Sequence, residues 1–357
     1  MKFKLLVAGV ALATAQVQAG GFENARLDTS FMYDEGNLVS LGTLSKSYDV
    51  TGSTSATNDS VITDRSAGSF QAKYQLSDSL GFGLHAYESG AFHLNYQGTG
   101  GILTTVGPKV NGAVDSIALI GRYSLNENFS ALAGVRRDKI SVQNADIFKS
   151  VGGTDPSISS DTDVTTLWGV AYERQKIALR VELLMQQSSE FSMQSTCGLP
   201  APIQCTDKST AAMPDLMTLN LRTGIMEDTV AFASIHKGKW SAAQISIADN
   251  TPTTPTSAFE DSTEYSVGLG RKISDALAVS VSYNWQKAGN EQTTSLFTVN
   301  DGYRGVSLGA RYSLENVEFA LGYNYTKLGD VSYTPAPNNS FKNNSVSAIG
   351  AKVTLRF

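Results

Sequence analysis

Residues 343–357, "NNSVSAIGAKVTLRF", close the chain with a regular alternation of apolar and polar side chains. Counting back in twos from the last residue gives an apolar series: Phe357, Leu355, Val353, Ala351 and Ile349. The positions between them carry Arg356, Thr354, Lys352 and Gly350. A period of two indicates a β-strand with one apolar face, which covers a core in a soluble sheet and meets lipid in a membrane barrel. Features elsewhere in the chain decide whether this face covers a soluble core or meets lipid.

The other end of the chain reads as an export signal. Lys2 and Lys4 precede an apolar run at 5–15, and the small residues Val17 and Ala19 form a cleavage motif. The run is too short to span a bilayer as a helix. We therefore predict a cleaved signal peptide over residues 1–19 and an exported mature chain.

Composition narrows the class of protein. No later stretch approaches the roughly 20 apolar residues that a membrane helix needs, which excludes a helical membrane protein. A transmembrane barrel fits a mean hydropathy of -0.13 because only every second strand residue faces lipid. A formal charge of -5 disfavours nucleic acid as a partner.

The two cysteines of the chain lie close together, in "TCGLPAPIQCTD" at 196–207. In an oxidising compartment, this spacing predicts a local disulfide between Cys197 and Cys205. No histidine lies near the pair, so a metal site is not predicted there.

Connections of two lengths alternate along the chain. Tight polar links occur at 76–80, 125–129, 173–177, 226–229, 274–277 and 314–318. Long segments rich in Gly, Ser, Thr, Asn, Asp and Pro lie near 49–65, 97–112, 145–161, 189–211, 249–259, 288–301 and 328–343. Six short turns and seven long loops require fourteen strands.

This alternation is typical of an outer-membrane barrel, with short turns in the periplasm and long loops outside. A sheet in lipid must leave no unpaired edge, so the last strand must pair with the first. We predict an all-β, transmembrane antiparallel β-barrel of about 14 strands in the bacterial outer membrane. Phe357 resembles the C-terminal aromatic that barrel assembly machinery recognises. Aromatic residues near strand ends fit interfacial girdles: Tyr74, Tyr123, Trp168, Tyr172, Tyr283, Trp285, Tyr312, Tyr323 and Tyr325.

The sequence contains no recognisable catalytic constellation. The three histidines, His85, His93 and His236, stand in no triad or metal-ligand spacing. We predict that the protein is no enzyme and needs no cofactor.

Several segments in order resemble the FadL family of outer-membrane transporters for long-chain fatty acids and other hydrophobic compounds. The segment at 213–245 is similar in its Pro214, its tight turn at 227–228 and its Trp240 followed by Ser241. Hairpins at 168–183, 259–285 and 302–326 and the closing strand are similar to others of the family.

The resemblance implies a monomeric barrel over residues 36–357, a hatch over 20–35 inside the lumen, and lateral release of the substrate through a kinked third strand. Passive movement of long-chain fatty acids or similar compounds is the implied function, with outer-membrane lipid around the barrel. The candidate residues for the apolar substrate are Phe22, Leu27, Phe31 and Met32, and the candidates for a carboxylate head group are Arg136 and Arg137. Glycine within a strand often marks a bend, which makes Ser89 and Gly90 the candidate kink.

The chain departs from the family in one respect: it has no Asn-Pro-Ala segment before its first strand. A small hatch leaves a porin for small solutes open as an alternative. The long loops leave open a second alternative, an adhesin that acts through them.

Overall fold

The computed structural model describes residues 21–52, 60–96, 109–146, 154–198, 206–246, 257–295, 297–334 and 340–357. The predicted signal peptide lies outside these ranges. In chain order the strands are β1 (Leu38–Asp49), β2 (Arg65–Gln75), β3 (Leu80–Asn95), β4 (Lys109–Ser124), β5 (Phe129–Asp146), β6 (Thr154–Ile158), β7 (Asp161–Arg174), β8 (Leu179–Gln186), β9 (Ser189–Gly198), β10 (Thr206–Met213), β11 (Leu216–Met226), β12 (Thr229–Gly238), β13 (Ser262–Lys272), β14 (Leu277–Gln286), β15 (Gln292–Thr293), β16 (Tyr303–Leu314), β17 (Val317–Leu328), β18 (Val331–Tyr333), β19 (Ser340–Phe341) and β20 (Ser345–Arg356).

Fourteen of these strands form a closed antiparallel barrel. The strand order is β1-β2-β3-β4-β5-β7-β8-β11-β12-β13-β14-β16-β17-β20, and β20 pairs back with β1 from Leu38↔Arg356 to Asp49↔Ser345. All short links lie at one end of the barrel, which we call the turn end, and the long connections leave the other, the loop end. The predicted fold class, strand number and closure are confirmed.

The outer face of the barrel is apolar, as the alternation in the sequence predicts. In β20 the exposed side chains include Ile349, Val353 and Leu355, while Ala348 and Thr354, which are next to them in sequence, are buried. Most of the predicted girdle aromatics are also exposed on this outer face: Tyr74, Tyr123, Trp168, Tyr283, Tyr312, Tyr323 and Tyr325. The barrel therefore carries an apolar outer band bordered by aromatic rings.

The long connections contain more regular structure than their composition indicates. β6, β9 and β10 form one three-stranded sheet, and β15, β18 and β19 form another, both at the loop end. The other regular elements are short 3-10 helices at Ser30–Tyr33, Gln175–Ile177 and Trp240–Ala242. No helix in the described ranges is both long enough and apolar enough to cross a membrane.

Two apolar clusters fill the inside of the barrel at different heights. The lower cluster, nearer the turn end, contains Leu27, Phe31, Met32, Leu38, Tyr87, Ala118, Ile120, Leu132, Leu167 and Leu184. The upper cluster, nearer the loop end, includes Phe22, Phe92, Leu94, Phe191, Met193, Met213, Trp240, Phe259 and Phe297. Residues 21–35 contribute to both clusters, which links the hatch to the whole height of the lumen.

Candidate functional site: an interruption in the barrel wall

Residues 21–35, which we call the hatch segment, run through the lumen from the level of the β3 irregularity at Phe22 to the turn end at Asp34. Polar contacts join it to the wall at successive levels: Asp34 to Arg356 (3.0 Å), Thr29 to Glu182 (2.7 Å), Asp28 to Gln71 (3.0 Å), Arg26 to Glu264 (2.6 Å) and Glu23 to His236 (3.2 Å). These contacts reach several strands around the barrel, so the segment is anchored on more than one side.

The third strand is irregular where the sequence places its candidate kink. The pairing of β3 with β4 shifts register between Glu88 and Gly90, so Ser89 is an extra residue, a β-bulge. Below the bulge, β3 pairs with β2 up to Phe70↔Ala86, and the described pairing of these two strands stops there. The wall between β2 and β3 is therefore interrupted above Ala86. Pairing resumes nearer the loop end, where Ile62 bridges Leu94 and the N–H of Asn95 donates to the carbonyl oxygen of Val61 (2.8 Å).

Hatch residues take the place of the missing strand partner. The backbone N–H of Asn24 donates to the carbonyl oxygen of Ser89 (2.8 Å), and the N–H of Ala91 donates to that of Phe22 (2.7 Å). Glu23 and Gly90 form the bridge between these two bonds. Backbone groups at an open sheet edge need partners, and residues 22–24 supply them here.

Gly90 makes room for the hatch side chain that seals the interruption. A Cβ atom at this position would lie 2.9 Å from Cδ2 of Phe22, closer than real Cβ atoms approach. The Phe22 ring packs instead against three rings, with centroid distances of 5.4 Å to Phe92, 5.3 Å to Trp240 and 6.1 Å to Phe259. Phe22 is therefore both a hatch residue and part of the upper apolar cluster.

A cavity of about 60 Å³ lies at the interruption. Its lining combines aromatic side chains of the upper cluster with polar groups of β1, β2 and β3, and includes Phe22, Lys46, Arg65, Phe92, His93, Phe259, Phe297 and Asn300. The cavity thus combines aromatic surface with two cationic side chains and the carboxylate of Glu23.

Arg65 is the cation in this lining with unused donors. Its guanidinium forms an ion pair with Glu88 across the interruption, and Glu88 also accepts from Asn24 (2.5 Å). The Arg65 side chain is only 10% exposed, yet its Nε and Nη1 atoms have no hydrogen-bond partner among the described residues. Nε2 of His93 is unsatisfied in the same way. Buried donors without partners are costly, so an anionic ligand group at this place would be stabilised.

Charged groups hold the upper hatch in the lumen. Burial alone would raise the pKa of the Glu23 carboxyl, but His236 and Arg26 outweigh it and lower that pKa to about 2. Burial would likewise raise the pKa of Asp28, while Lys352 and two hydrogen bonds lower it to about 2. Both hatch carboxyl groups are therefore ionised at neutral pH and attracted to the wall.

Glu23, His236 and Glu264 also bring potential metal-ligand atoms within 4.8 Å of one another. The Arg26 guanidinium lies 2.6 Å from Glu264 and 3.5 Å from Glu23. A cationic side chain thus already balances these carboxylates, and we interpret the group as the anchor of the hatch.

The apolar candidates from the sequence fall into both clusters. Phe22 lies at the interruption, whereas Leu27, Phe31 and Met32 belong to the lower cluster. A Cβ atom on Gly83 of β3 would lie 2.2 Å from Sδ of Met32, so the wall is in close contact with this part of the hatch. The lower three residues therefore close the lumen below the cavity.

The two arginine candidates lie away from the cavity. Arg136 is buried and donates to Asp138 (2.8 Å), Gln186 (2.8 Å) and Ser189 (3.2 Å). Arg137 is exposed in line with Val135 on the outer face. Neither position favours binding of a carboxylate in the lumen. The predicted disulfide involves Cys205, which lies outside the described residues.

The sequence reasoning missed Arg65, Glu88 and His93. A signal for the first two exists, since a cation opens β2 and an acid immediately precedes the Ser89–Gly90 pair of β3. Their pairing depends on the bulge, which brings the ends of two strands together without ladder hydrogen bonds.

Comparison with known proteins identifies solved structures that have a similar fold. No family model matches the chain, and no curated protein matches its sequence. A FadL homologue of Pseudomonas aeruginosa has a similar structure, with a TM-score of 0.72 and 12% identity over 92% of each chain. The toluene transporter TodX of P. putida (TM-score 0.63, 14% identity, 98% of this chain and 99% of that one) and the CymD monoaromatic hydrocarbon channel (0.61, 12%, 92% and 90%) are also similar. The resemblance seen in the sequence is confirmed at the level of architecture: the chain has a FadL-like fold.

Proposed function

We propose that this protein is a passive, cofactor-free transporter of the bacterial outer membrane that moves long-chain fatty acids and releases them sideways through its wall. The observation that carries the proposal is the interrupted β2–β3 pairing, which hatch residues 22–24 cover and beside which lies a cavity with both aromatic and polar lining. The structures named toluene transporter and monoaromatic hydrocarbon channel support hydrophobic compounds as the substrate class.

The two apolar clusters favour a lateral route over an axial one. An alkyl chain gains about 25 cal/mol for each Å² of surface that it buries, and the upper cluster supplies such surface beside the interruption. Below it, Leu27, Phe31 and Met32 fill the lumen together with wall residues. A substrate in the cavity is therefore closed off at the side only by hatch residues 22–24 and the side chains next to them, whereas the packed lower cluster lies beneath it.

Arg65 supports a carboxylate as the polar part of the substrate. A guanidinium pairs well with a carboxylate because it presents two parallel N–H donors. Arg65, whose Nε and Nη1 atoms have no partner among the described residues, and His93, whose Nε2 has none there, line the same cavity as the aromatic rings of the upper cluster. An amphipathic acid satisfies both parts of this lining, whereas a plain hydrocarbon leaves the donors unpaired.

The outer surface supports placement in the outer membrane. The apolar band bordered by aromatic rings matches the lipid-facing zone of bacterial barrels. We include recognition of the terminal Phe357 by barrel assembly machinery and a monomeric state in the proposal. A porin for small solutes is disfavoured by the apolar packing inside the barrel, and no contact of the described loops favours an adhesin over a transporter.

The proposal is tested by uptake of labelled oleate and labelled hexadecane in Gram-negative cells that lack their own fatty acid channel. Wild-type protein should restore oleate uptake. The variant carrying Arg65→Gln and Glu88→Gln together stays charge-balanced, and it should lose oleate uptake by about tenfold while hexadecane uptake changes little.

The outcomes separate the alternatives. Loss of uptake for both compounds would mean that the pair is structural and not a head-group site. Uptake of hexadecane but not oleate by the wild type would move the substrate class to hydrocarbons. A folded, surface-exposed barrel that transports neither compound but conducts small solutes would overturn the proposal in favour of a porin.

A further inference from the structure

One side of the outer face carries a row of directly paired residues at the loop end. Across neighbouring strands the row reads Tyr265, Trp285, Arg304, Lys327 and Ser345. The arginine and the lysine are both exposed. The outer-face positions two residues nearer the turn end on the same strands are Val306 and Tyr325, which are apolar and aromatic. The row therefore lies at the border between the apolar band and the polar rim.

Stacked aromatic rings mark the depth of this row in the bilayer. The Trp285 ring stacks on Tyr265 with a centroid distance of 5.2 Å and on Tyr283 at 5.6 Å. Tryptophan and tyrosine prefer the level where acyl chains meet head groups. Arg304 and Lys327 share the level of Trp285, and their long side chains can extend further toward the head groups.

The two cations face one another without a counter-charge. Directly opposite residues on antiparallel strands have Cβ atoms about 5 Å apart, and like charges in such a pair repel. Neither side chain forms an ion pair with any residue that the structure describes. The nearby acids are engaged elsewhere, since Asp301 accepts from the N–H of Gly289 (2.7 Å) and Asp330 from that of Asn343 (3.1 Å).

Another outer-face cation shows the usual arrangement. Lys139 of β5 is exposed near the loop end, and the exposed acid Asp115 of β4 lies directly opposite it. Cross-strand pairs of opposite charge stabilise a sheet. The Arg304 and Lys327 pair lacks such compensation among the described residues, which leaves both cations open to an anionic partner.

We propose that Arg304 and Lys327 bind the phosphorylated head group of a lipid in the outer leaflet, with the acyl chains of that lipid on the Tyr283, Trp285 and Tyr325 rings. Phosphate oxygens accept two hydrogen bonds from a guanidinium and a further one from an ammonium group. The inference rests on the proposed placement of the barrel in the outer membrane and is independent of the substrate that crosses it.

The experiment measures retention of lipid by the full mature protein, purified in a neutral detergent, using native mass spectrometry. Bisphosphorylated lipid A, dephosphorylated lipid A and inorganic phosphate are the probes. The wild type should retain one bisphosphorylated lipid in preference to the other two. The Arg304→Gln, Lys327→Gln double variant should retain it roughly tenfold more weakly.

A matched control removes two cations from the opposite part of the outer face, with Arg137→Gln and Lys139→Gln. Equal losses in both double variants would reduce the effect to diffuse attraction and overturn the site. Equal retention of dephosphorylated lipid by the wild type would show that acyl chains alone are bound, and equal occupancy by inorganic phosphate would show a site without lipid preference; either result overturns the proposal.

Transport is scored separately, so that the two proposals fail independently. Oleate uptake by the Arg304→Gln, Lys327→Gln variant should stay at the wild-type level, because both residues lie on the outer face away from the cavity. Heat-modifiable mobility on gels confirms that each variant is a folded barrel. Lipid retention in a protein that transports no oleate would leave this inference standing while the transport proposal falls.

Discussion

The absence of a side chain at position 90 allows the hatch to seal the wall. The Phe22 ring occupies the space that a Cβ atom at Gly90 would take, and Sδ of Met213 lies 3.1 Å from the same point. A larger residue here would push the Phe22 ring toward the cavity, because the ring is packed on its other sides by aromatic neighbours. The size of one residue thus controls the free volume next to the interruption.

We therefore expect Gly90→Val to lower oleate uptake by about tenfold without unfolding the barrel, since overpacking a filled site typically costs 1–3 kcal/mol. Labelled oleate uptake, with gel mobility as the folding check, measures this effect. Gly68→Val is the matched control, because the nearest atom to a Cβ there is 3.9 Å away. Normal uptake in a folded Gly90→Val protein would argue against passage at this point.

At this scale, the sequence indicated some of the residues that lie at the interruption and not others, for a physical reason. A glycine within a strand and an apolar residue beside a Gly-Gly start are visible locally, and Gly90 and Phe22 are proposed as site residues on that basis. The role of Arg65 depends on which residue of another strand lies across from it, and a bulge changes that partner. Arg136 also depends on its surroundings, because its Nε atom donates to Asp138, two residues along the same strand (2.8 Å).

Among the elements, β3 differs from the other barrel strands in having a hatch segment as its neighbour for part of its length. The Glu23 and Gly90 pair is of the non-hydrogen-bonded type, since the flanking residues make the bonds. Cα atoms in such pairs lie about 4.5 Å apart, which is within the range that a disulfide accepts. This geometry allows the hatch to be locked to β3 covalently.

We expect the Glu23→Cys, Gly90→Cys variant, made in a Cys197→Ser, Cys205→Ser background, to take up several-fold less oleate when oxidised than when reduced. The side chain added at position 90 keeps uptake by the reduced form below the wild-type level. The disulfide fixes residues 22–24 against β3, so a substrate cannot displace them from the interruption. Uptake before and after treatment of the cells with a membrane-impermeant reductant measures the difference, and the reduced state serves as its own control. Equal uptake in both states, with the crosslink verified by mass spectrometry, would contradict lateral passage through the bridge.

The barrel strands themselves were predictable because their signals are local. Each tight link joins two alternating segments, so counting links counts hairpins, and residues such as Asp228 in the 226–229 turn adopt the positive φ that a tight turn uses (φ 56°). The small loop-end sheets escaped prediction because β6 pairs with β9, a partner about forty residues away in polar sequence. Pairing between distant polar segments leaves no periodic trace.

The molecule as a whole is a closed barrel whose N-terminal hatch segment is held in the lumen by non-covalent contacts. The hatch segment passes through both apolar clusters and is anchored by charges, among them Glu23 with His236 and Arg26, and Asp28 near Lys352. Opening the lumen therefore requires separation of these charges in addition to exposure of apolar surface. Removing the charges should favour the open state.

Lowering the pH removes these charges and tests whether they keep the hatch in place. A carboxyl whose pKa is lowered by docking contributes stability that is fully present above its ordinary value and disappears as the pH falls through the lowered one. For Glu23 the two values are 4.5 and about 2, and for Asp28 they are 3.8 and about 2. Hatch docking should thus weaken progressively below about pH 4.5, and planar-bilayer recordings should show increasing channel openings over that range.

The Glu23→Gln variant tests whether the channel openings come from release of the hatch and not from a change in the barrel wall. It lacks one titrating carboxylate, so we expect openings already at neutral pH and a shallower dependence on acid, while gel mobility shows an intact barrel. Because Asp28 remains ionised in this variant, part of the pH dependence should persist and disappear only when Asp28→Asn is added. Recordings that stay closed down to about pH 2.5 in the wild type, with the barrel folded, would show that apolar packing alone keeps the hatch in place.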